Sequence, residues 1–184
     1  PSREHVDFAV TTIARLSRHN PDLQVVCDPV LGDDPKGLYI GADAAAAIRD
    51  RLVPLADTLL PNRFELGYLG DCPIASPQDA VAAARRLAPG QVIAKSIPRH
   101  DHRLCNIDVR PTTAATVSFA RQVGVPNGTG DMFSALIATG WPLARATGAL
   151  NAVIAESLGR DHLAIVPASQ RWCTASALPL QELP

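Results

Sequence analysis

The chain has 184 residues, 47% hydrophobic and 19% charged, which gives enough apolar sequence for the core of one domain and excludes a disordered tail. Its 17 basic and 18 acidic residues leave a formal net charge of −1, so nothing in its charge favours nucleic acid as a partner. No apolar run reaches the roughly 18 residues of a membrane-spanning helix, and the first residues are too polar for a signal peptide, so we expect a soluble cytoplasmic protein that binds neither nucleic acid nor membrane.

The first half of the chain predicts helices that alternate with short buried strands. Apolar residues at helical spacing predict helices over residues 6–16, 42–53, 62–69 and 76–87. Two short apolar runs, at 23–27 and 58–60, are typical of strands that are buried on both faces. A loop rich in proline, glycine and aspartate follows the first strand, and Asn62 with Glu65 resembles a capping box at the start of a helix.

The second half continues the pattern and adds a hairpin. We expect a strand over 91–95, a β-hairpin made of 104–109 and 115–119, and two consecutive helices over 130–139 and 143–158. This alternation predicts the α/β class, with a mostly parallel sheet and helices on both faces, in a single domain spanning residues 1–184. The tail at 168–184 has no regular period, so we assign it no structure.

Polar side chains follow three of the predicted strands, at the edge of the sheet where ligands of open α/β folds bind. They are Asp28 and Asp33, then Asn62 and Glu65, then Lys95 and Ser96. Carboxylates suit Mg²⁺, which takes one or two of them together with substrate phosphates, whereas a lysine and a hydroxyl suit phosphate oxygens. Each residue alone has an ordinary alternative, as a turn, a helix cap or a solvated side chain, but their occurrence at one edge favours a magnesium and phosphate site.

The sharpest motif is Asn-Gly-Thr-Gly-Asp at 127–131, which runs into an apolar helix. Its glycines let the backbone approach a ligand closely, and consecutive amides at a helix N-terminus form a cradle for anionic oxygens. Asp131 has two interpretations from these residues alone. It is either a cap of the helix or a general base that faces a hydroxyl attacking the phosphorus held in the cradle.

The four cysteines are widely separated and contain no C-x-x-C pair. In a domain of ordinary size, this spacing favours free thiols in a reducing compartment over a disulfide framework or a zinc site.

Five segments together resemble the pyridoxal kinases, which are vitamin B6 salvage enzymes of the ribokinase-like superfamily. The segments are DPVLGD at 28–33, KGLYI at 36–40, LVPLAD at 52–57, PNRFEL at 61–66 and GTGDMF at 128–133. The last of these marks only the superfamily, whereas DPVLGD, the glycine and tyrosine of KGLYI, and PNRFEL narrow the resemblance to the family. The resemblance runs from about residue 23 to residue 167 and implies a ribokinase-like fold that lacks the family's N-terminal third.

The resemblance implies an activity and its cofactors. The reaction is the ATP-dependent phosphorylation of the 5′-hydroxyl of pyridoxal, pyridoxine or pyridoxamine, with Mg²⁺ and an activating monovalent cation, in an enzyme that is commonly a homodimer. Leu60 stands where many members have threonine, which weakens the case for the monovalent cation.

The resemblance also implies roles for individual residues. Asp131 matches the catalytic base that contacts the acceptor, and the amides of Gly128, Thr129 and Gly130 match the anion hole for the transferred phosphoryl group. Tyr39 matches a residue of the loop that folds over the acceptor. Asp33 and Glu65 match acidic groups around Mg²⁺. The nucleotide-binding positions are Asp28, Asn62, Glu65, Lys95, Ser96 and Thr129.

Two alternatives remain open. Hydroxymethylpyrimidine kinase of thiamine synthesis shares the scaffold and similar motifs, although Tyr39 and Phe64 favour the B6 enzyme. The other alternative is an inactive nucleotide-binding fragment, because the family's N-terminal third carries most residues that grip the pyridoxal ring. The chain begins at Pro1 and its only methionine is Met132, so we expect a chain shortened at its N-terminus.

Overall fold

The computed structural model describes residues 1–183, in which a main sheet of six strands lies between two layers of helices. The strands are β1 (Val26–Cys27), β2 (Gly32–Asp33), β3 (Gly37–Leu38), β4 (Thr58–Leu59), β5 (Gln91–Pro98), β6 (Leu104–Val109), β7 (Ala114–Phe119) and β8 (Leu180–Leu183). The order in the main sheet is β1-β4-β5-β6-β7-β8, and β2 and β3 form a separate ribbon. β1, β4 and β5 are parallel, whereas β6, β7 and β8 extend the sheet with antiparallel pairs. The predicted α/β class is confirmed.

The first six helices lie where apolar periodicity predicts them, with shifts at their ends, whereas α7 lies in the tail to which the sequence assigns no structure. They are α1 (Arg3–His19), α2 (Ala42–Ala47), α3 (Arg63–Gly70), α4 (Pro77–Ala84), α5 (Thr129–Ala138), α6 (Leu143–Ser157) and α7 (Ser169–Cys173). The predicted helix at 42–53 is α-helical only to Ala47, and it continues as a π turn over Ile48–Leu52 and a 3-10 turn over Val53–Leu55. Pro54 has no N–H with which to extend an α-helical ladder, which accounts for this irregular end.

Buried strand residues alternate between two cores, one on each face of the sheet. Leu59, Val92 and Ala94 belong to the core under α1 to α4. Leu60 and Ile93 point the other way, into the core under α5 and α6. Because both faces are covered, these strands carry apolar residues on both sides, which is why they appear in the sequence as continuous apolar runs.

The tail that carries no sequence period is ordered in the structure up to Leu183, while Pro184 lies outside the described residues. It contributes α7 and then β8, which pairs with β7 along Ala114–Val117. Before β8, Leu178 packs into the core under α5 and α6, and its N–H donates to the carbonyl of Ala144 at 3.1 Å. Leu183 packs against the core of the opposite face. The tail thus passes from one face of the sheet to the other.

The four cysteines are all free, as their spacing predicts. Cys27 is buried at the end of β1, and burial raises the pKa of its thiol to about 12. It therefore stays protonated at neutral pH. Within residues 1–183, no helix combines the length and the apolar character needed to cross a membrane.

Candidate active site

Asp28, Asn62 and Lys95 meet where the parallel strands end. The pairing of β4 with β5 reaches past β4 to a bridge between Asn62 and Lys95, and the N–H of Lys95 donates to the carbonyl of Pro61 at 2.8 Å. Lys95 Nζ donates to Asp28 Oδ2 at 2.7 Å. The two side chains are 11% and 17% exposed, so this ion pair is largely shielded from water. The sequence correctly predicts that these three residues share one edge of the sheet.

Ser134 joins this pair although sequence reasoning did not single it out. Its hydroxyl donates to the same Asp28 oxygen at 2.5 Å. Ser134 lies in α5, so one carboxylate oxygen connects the ends of β1 and β5 to the first turns of that helix. The signal in the sequence was weak: a single polar residue within the apolar run from Met132 to Ile137.

Asn62 and Glu65 form the capping box that their spacing predicts. Asn62 Oδ1 accepts from the N–H of Glu65 at 2.9 Å, and Glu65 Oε2 accepts from the N–H of Asn62 at 2.8 Å. The other Glu65 oxygen, Oε1, accepts from the N–H of Leu31 at 2.9 Å, and Asn62 Nδ2 donates to the carbonyl of Gly32 at 2.8 Å. Glu65 is 2% exposed, and burial raises the pKa of its carboxyl. The two residues therefore fix the loop after β1 against the start of α3.

In the segment 127–131, where the sequence predicts a phosphate cradle, Gly128 has a positive φ angle. Gly128 precedes α5 with φ 95°, a conformation that glycine adopts without strain. A Cβ on Gly130 would stand 3.6 Å from Lys95 Nζ, so the ammonium group lies beside the first turn of the helix. Amides at a helix N-terminus and an adjacent ammonium group together attract an anion.

Asp131 does not cap α5. Gly128 occupies the N-cap position, and Asp131 stands at the third position of the helix with its side chain exposed. The interpretation of Asp131 as a helix cap is therefore wrong, which leaves its carboxylate available for other chemistry.

Two openings flank the N-terminus of α5. The first is a cleft of about 420 Å³, which we call the nucleotide cleft. Its polar wall is made of Asp33, Asn62, Lys95, Ser96, Asn106, Thr129 and Gly130, and its apolar wall includes Phe119, Val125, Phe133, Leu150 and Ile154.

The second opening, which we call the α5 groove, measures about 830 Å³ and is mostly apolar. Asp131 and Gly128 lie in it, beside Met132, Leu136, Leu163, Trp141 and Trp172. The ring centres of the two tryptophans are 6.1 Å apart. Thr129 and Gly130 thus line the nucleotide cleft, whereas Gly128 and the exposed carboxylate of Asp131 line the α5 groove, all within the first turn of α5.

Three of the predicted site residues line neither opening. Asp28 lies beneath Lys95, Glu65 is buried behind Asn62, and Tyr39 follows β3 with 53% of its surface exposed. The N–H of Tyr39 donates to the carbonyl of Leu31 at 2.8 Å, which ties the β2–β3 ribbon to the loop after β1.

One carboxylate, that of Asp33, fits a magnesium ion held mainly by its nucleotide. Within residues 1–183, no three His, Cys, Asp or Glu side chains stand close enough together to enclose a metal ion. Mg²⁺ needs only one or two carboxylates when phosphates and water complete its shell. Asp33 is exposed in the cleft wall and can contact such an ion, whereas Glu65 is buried behind it with both oxygens accepting backbone N–H groups.

Comparison with known proteins extends these observations. Residues 6–155 match the family described as phosphomethylpyrimidine kinase. The chain is 38% identical over 162 residues to a pyridoxine/pyridoxal/pyridoxamine kinase of Bordetella avium, covering 83% of this chain and 55% of that protein. It is 37% identical over 136 residues to the pyridoxal kinase PdxY of Leifsonia xyli, covering 71% and 48%. The chain spans about half the length of the curated relatives it matches.

Solved structures share the fold. The pyridoxal kinase of Leishmania donovani in complex with ADP and pyridoxine superposes with a TM-score of 0.86 at 26% identity, covering 99% of this chain and 70% of the other. The pyridoxal kinase of Entamoeba histolytica gives a TM-score of 0.87 at 21% identity, covering 100% and 70%. At that identity the second likeness concerns the fold alone.

Proposed function

We propose that this chain, which belongs to the phosphomethylpyrimidine kinase family, among the pyridoxal kinases, phosphorylates a form of vitamin B6. The reaction is the ATP-dependent phosphorylation of pyridoxal, pyridoxine or pyridoxamine at the 5′-hydroxyl. One observation carries the proposal. The N-terminus of α5 separates a cleft lined by Lys95 and backbone amides from a groove that holds an exposed carboxylate. This is the arrangement that phosphoryl transfer between a nucleotide and an alcohol requires.

The nucleotide cleft supplies charge neutralisation. Phosphoryl transfer depends on positioning and on the stabilisation of charge on the phosphoryl oxygens. The amides of Gly128, Thr129 and Gly130 bind those oxygens, and the ammonium group of Lys95, which is paired with Asp28, adds N–H donors beside them. Mg²⁺, when bound near Asp33 and Glu65, neutralises the phosphates of the nucleotide. Ser96 and Asn62 contact the nucleotide from the same wall.

The α5 groove supplies the base. Asp131 takes the proton from the acceptor hydroxyl as that hydroxyl attacks the phosphorus, which contributes a factor of roughly 10² to 10⁴ in rate. The apolar wall of the groove suits a flat aromatic acceptor. Tyr39, which follows β3 and is half exposed, belongs to the loop that folds over the active site when substrates bind.

Three further proposals concern the setting of the enzyme. The free cysteines favour the cytoplasm, and β1, which pairs only with β4 among the described strands, offers an edge for homodimer formation. Leu60 is fully buried in an apolar core, so that position offers no side-chain oxygen to a monovalent cation.

Hydroxymethylpyrimidine kinase activity is the second candidate, and the description of the matching family favours it. The choice of acceptor distinguishes the two candidates. The first requires phosphorylation of a B6 vitamer, and the second requires phosphorylation of hydroxymethylpyrimidine.

The test is the formation of pyridoxal 5′-phosphate by this chain with Mg-ATP, measured together with nucleotide binding by calorimetry. Turnover with pyridoxal supports the proposal, and turnover with hydroxymethylpyrimidine alone supports the second candidate. Nucleotide binding without turnover identifies the chain as the nucleotide half of a kinase. The absence of both overturns the proposal.

Asp131→Asn tests the base directly. The substitution removes the proton acceptor without changing the shape of the side chain, so we expect turnover to fall by at least about 10² while the affinity for Mg-ADP stays within about twofold. Turnover at the wild-type rate would remove Asp131 from the mechanism.

A further inference from the structure

The strand β5 contains a bulge at the wall of the nucleotide cleft. Ala94 pairs with Ile107 and Ile97 pairs with Cys105, so Lys95 and Ser96 together stand opposite Asn106. In a regular strand two consecutive side chains point to opposite faces. Here Ala94 and Ile97 both pack into the core under α1 to α4, while Lys95 and Ser96 both line the cleft.

The bulge holds Ser96 in an unfavourable backbone conformation. Its φ is 56°, in the left-handed region that side chains other than glycine rarely adopt. Such a conformation persists only where the surrounding structure enforces it. The enforcing contact is on the neighbouring strand: the N–H of Ser96 donates to Asn106 Oδ1 at 2.9 Å.

Asn106 is itself fixed by hydrogen bonds. It is 2% exposed, and its Nδ2 donates to Thr147 Oγ1 at 3.2 Å. The hydroxyl of Thr147 in turn donates to the carbonyl of Leu143, one turn earlier in α6, at 2.8 Å. The donor end of the Asn106 amide is thereby directed to α6, which leaves its oxygen directed at Ser96. Buried polar groups that are fully hydrogen-bonded fix one arrangement of a core.

We propose that Asn106 is a positioning residue of the nucleotide cleft. Its side-chain oxygen stabilises the left-handed conformation of Ser96, and this conformation directs both Lys95 and Ser96 into the cleft. Asn106 acts through the backbone of β5, and α6 orients it through Thr147. The part of the proposal that concerns affinity rests on the proposed nucleotide-binding function.

Asn106→Leu removes the acceptor while nearly preserving the volume of the side chain. The Ser96 N–H loses its partner, whereas Thr147 keeps its bond to Leu143. We expect the bulge to relax and the dissociation constant for Mg-ADP, measured by calorimetry, to rise about tenfold, the scale expected for one lost hydrogen bond that fixes a charged contact. An unchanged dissociation constant overturns the proposal.

A second substitution at Ser96 gives a readout that a purely structural role of Asn106 would not produce. Glycine adopts positive φ without strain, so Ser96→Gly added to Asn106→Leu should restore the part of the affinity that depends on the position of Lys95, although it also lacks the Ser96 hydroxyl. Ser96→Ala in the same background keeps the strain and removes only the hydroxyl, so it should restore none. Equal affinity of the two double variants contradicts the proposal.

Thr116→Val is the matched control for stability. Thr116 is 1% exposed on the neighbouring strand, and its hydroxyl donates to the carbonyl of Asn106 at 3.3 Å. Its side chain alternates with that of Val117, which packs under α5 and α6, so it points away from the cleft. This variant should lose stability comparably and keep its affinity for Mg-ADP.

Two measurements keep the test decisive if Asn106→Leu does not fold or if the wild type binds no nucleotide. Thr147→Val leaves the acceptor oxygen but removes the group that orients it, so an intermediate loss of affinity is expected. Amide exchange of Ser96, followed by NMR without nucleotide, should accelerate at least tenfold in either variant. Unchanged Ser96 exchange in the variants overturns the positioning role. Accelerated exchange in the variants supports that role even if the wild type binds no nucleotide, a result that would refute only the proposed function.

Discussion

A single oxygen, Asp28 Oδ2, accepts hydrogen bonds from both Lys95 and Ser134. Because the Lys95–Asp28 pair is largely buried, each charge is stabilised mainly by the other and little by water. Removing one partner leaves the other desolvated and unpaired, which costs more than the pair itself contributes to stability. Asp28 therefore holds the Lys95 ammonium group in place beside the phosphate cradle.

Lys95→Met should lower the free energy of unfolding by about 3 kcal/mol, because it leaves the Asp28 carboxylate without its counter-charge. The double variant Asp28→Asn with Lys95→Met should recover most of that stability but not the affinity for Mg-ADP, since the charge that binds phosphate is still missing. Urea unfolding and calorimetry measure the two quantities.

Arg49→Met is the control for this cycle. Arg49 and Asp50 form an ion pair in which both side chains are about half exposed, so its removal should change stability by less than about 1 kcal/mol. A double variant that recovers nucleotide affinity together with stability would show that Lys95 does not contact phosphate.

The buried Glu65 carboxyl makes stability depend on pH. Burial raises its pKa above the ordinary value of 4.5, so the folded chain holds the proton more tightly than the unfolded chain does. The contribution of this group to stability is therefore full below pH 4.5 and declines as the pH rises toward the raised pKa.

Glu65→Gln removes this titration. The free energy of unfolding of the wild type minus that of the variant should decrease as the pH rises from about 4 to about 7, as measured by urea unfolding at several pH values. A difference that grows over this range would mean that the hydrogen bonds from Leu31 and Asn62 outweigh burial.

At the residue scale, the sequence predicts which side chains reach the site when they directly follow a strand or a glycine motif. It does not predict residues that act on the site through contacts with other residues. Lys95 and Asp131 stand out because of their position next to a strand end or a glycine motif. Ser134 and Asn106 occupy ordinary positions in a helix and a strand. Their importance comes from contacts with residues far away in the chain, which local patterns do not encode.

At the scale of elements, the start of α3 combines a structural role with a proposed functional one. Asn62 caps the helix, and its amide also donates to Gly32 in the loop after β1. The helix α4 begins in a similar way, with the Ser76 hydroxyl accepting from the N–H of Asp79. The two helices thus offer two caps of one kind, of which only one lies at the cleft.

Asn62→Ala and Ser76→Ala should each lower the free energy of unfolding by about 1 to 2 kcal/mol through loss of the cap. Only Asn62→Ala should also weaken the binding of Mg-ADP, because it removes a side chain from the cleft wall. Equal nucleotide affinity in both variants would restrict Asn62 to a capping role.

Helix starts are the most predictable part of this fold, because a cap and its partner are three residues apart. Helix ends and the β5 bulge are not predictable in the same way. The left-handed conformation of Ser96 carries no glycine signal, and it exists because of Asn106 on the next strand. The local pattern predicts a strand that ends at Lys95, whereas the structure continues it through the bulge to Pro98.

At the scale of the whole molecule, the tail connects the two cores. Leu178 belongs to the core under α5 and α6, and Leu183 packs against the core on the other face. The connection passes close to α6, where the carbonyl of Ser176 lies over Gly148. No local pattern predicts the structure of this segment, because β8 forms by pairing with β7, more than 60 residues earlier.

Gly148→Ala tests how much the close contact between the tail and α6 contributes to stability. A Cβ at Gly148 would stand 2.3 Å from the carbonyl oxygen of Ser176, so the tail must move, and we expect a loss of about 1 to 3 kcal/mol in the free energy of unfolding. At Gly90 a Cβ meets no atom within 4 Å, so Gly90→Ala should change stability by no more than about 0.5 kcal/mol. Equal stability of the two variants would show that the tail contributes little to the fold.

The two tryptophans of the chain, Trp141 and Trp172, both stand in the wall of the α5 groove. Indole fluorescence responds to the polarity and contacts of the ring, so the emission of the whole protein reports on this one region. An aromatic acceptor entering the groove should quench it, whereas a nucleotide in the cleft on the other side of α5 should leave it nearly unchanged. The order in which the two ligands bind can therefore be followed by light alone, with no label attached to the protein.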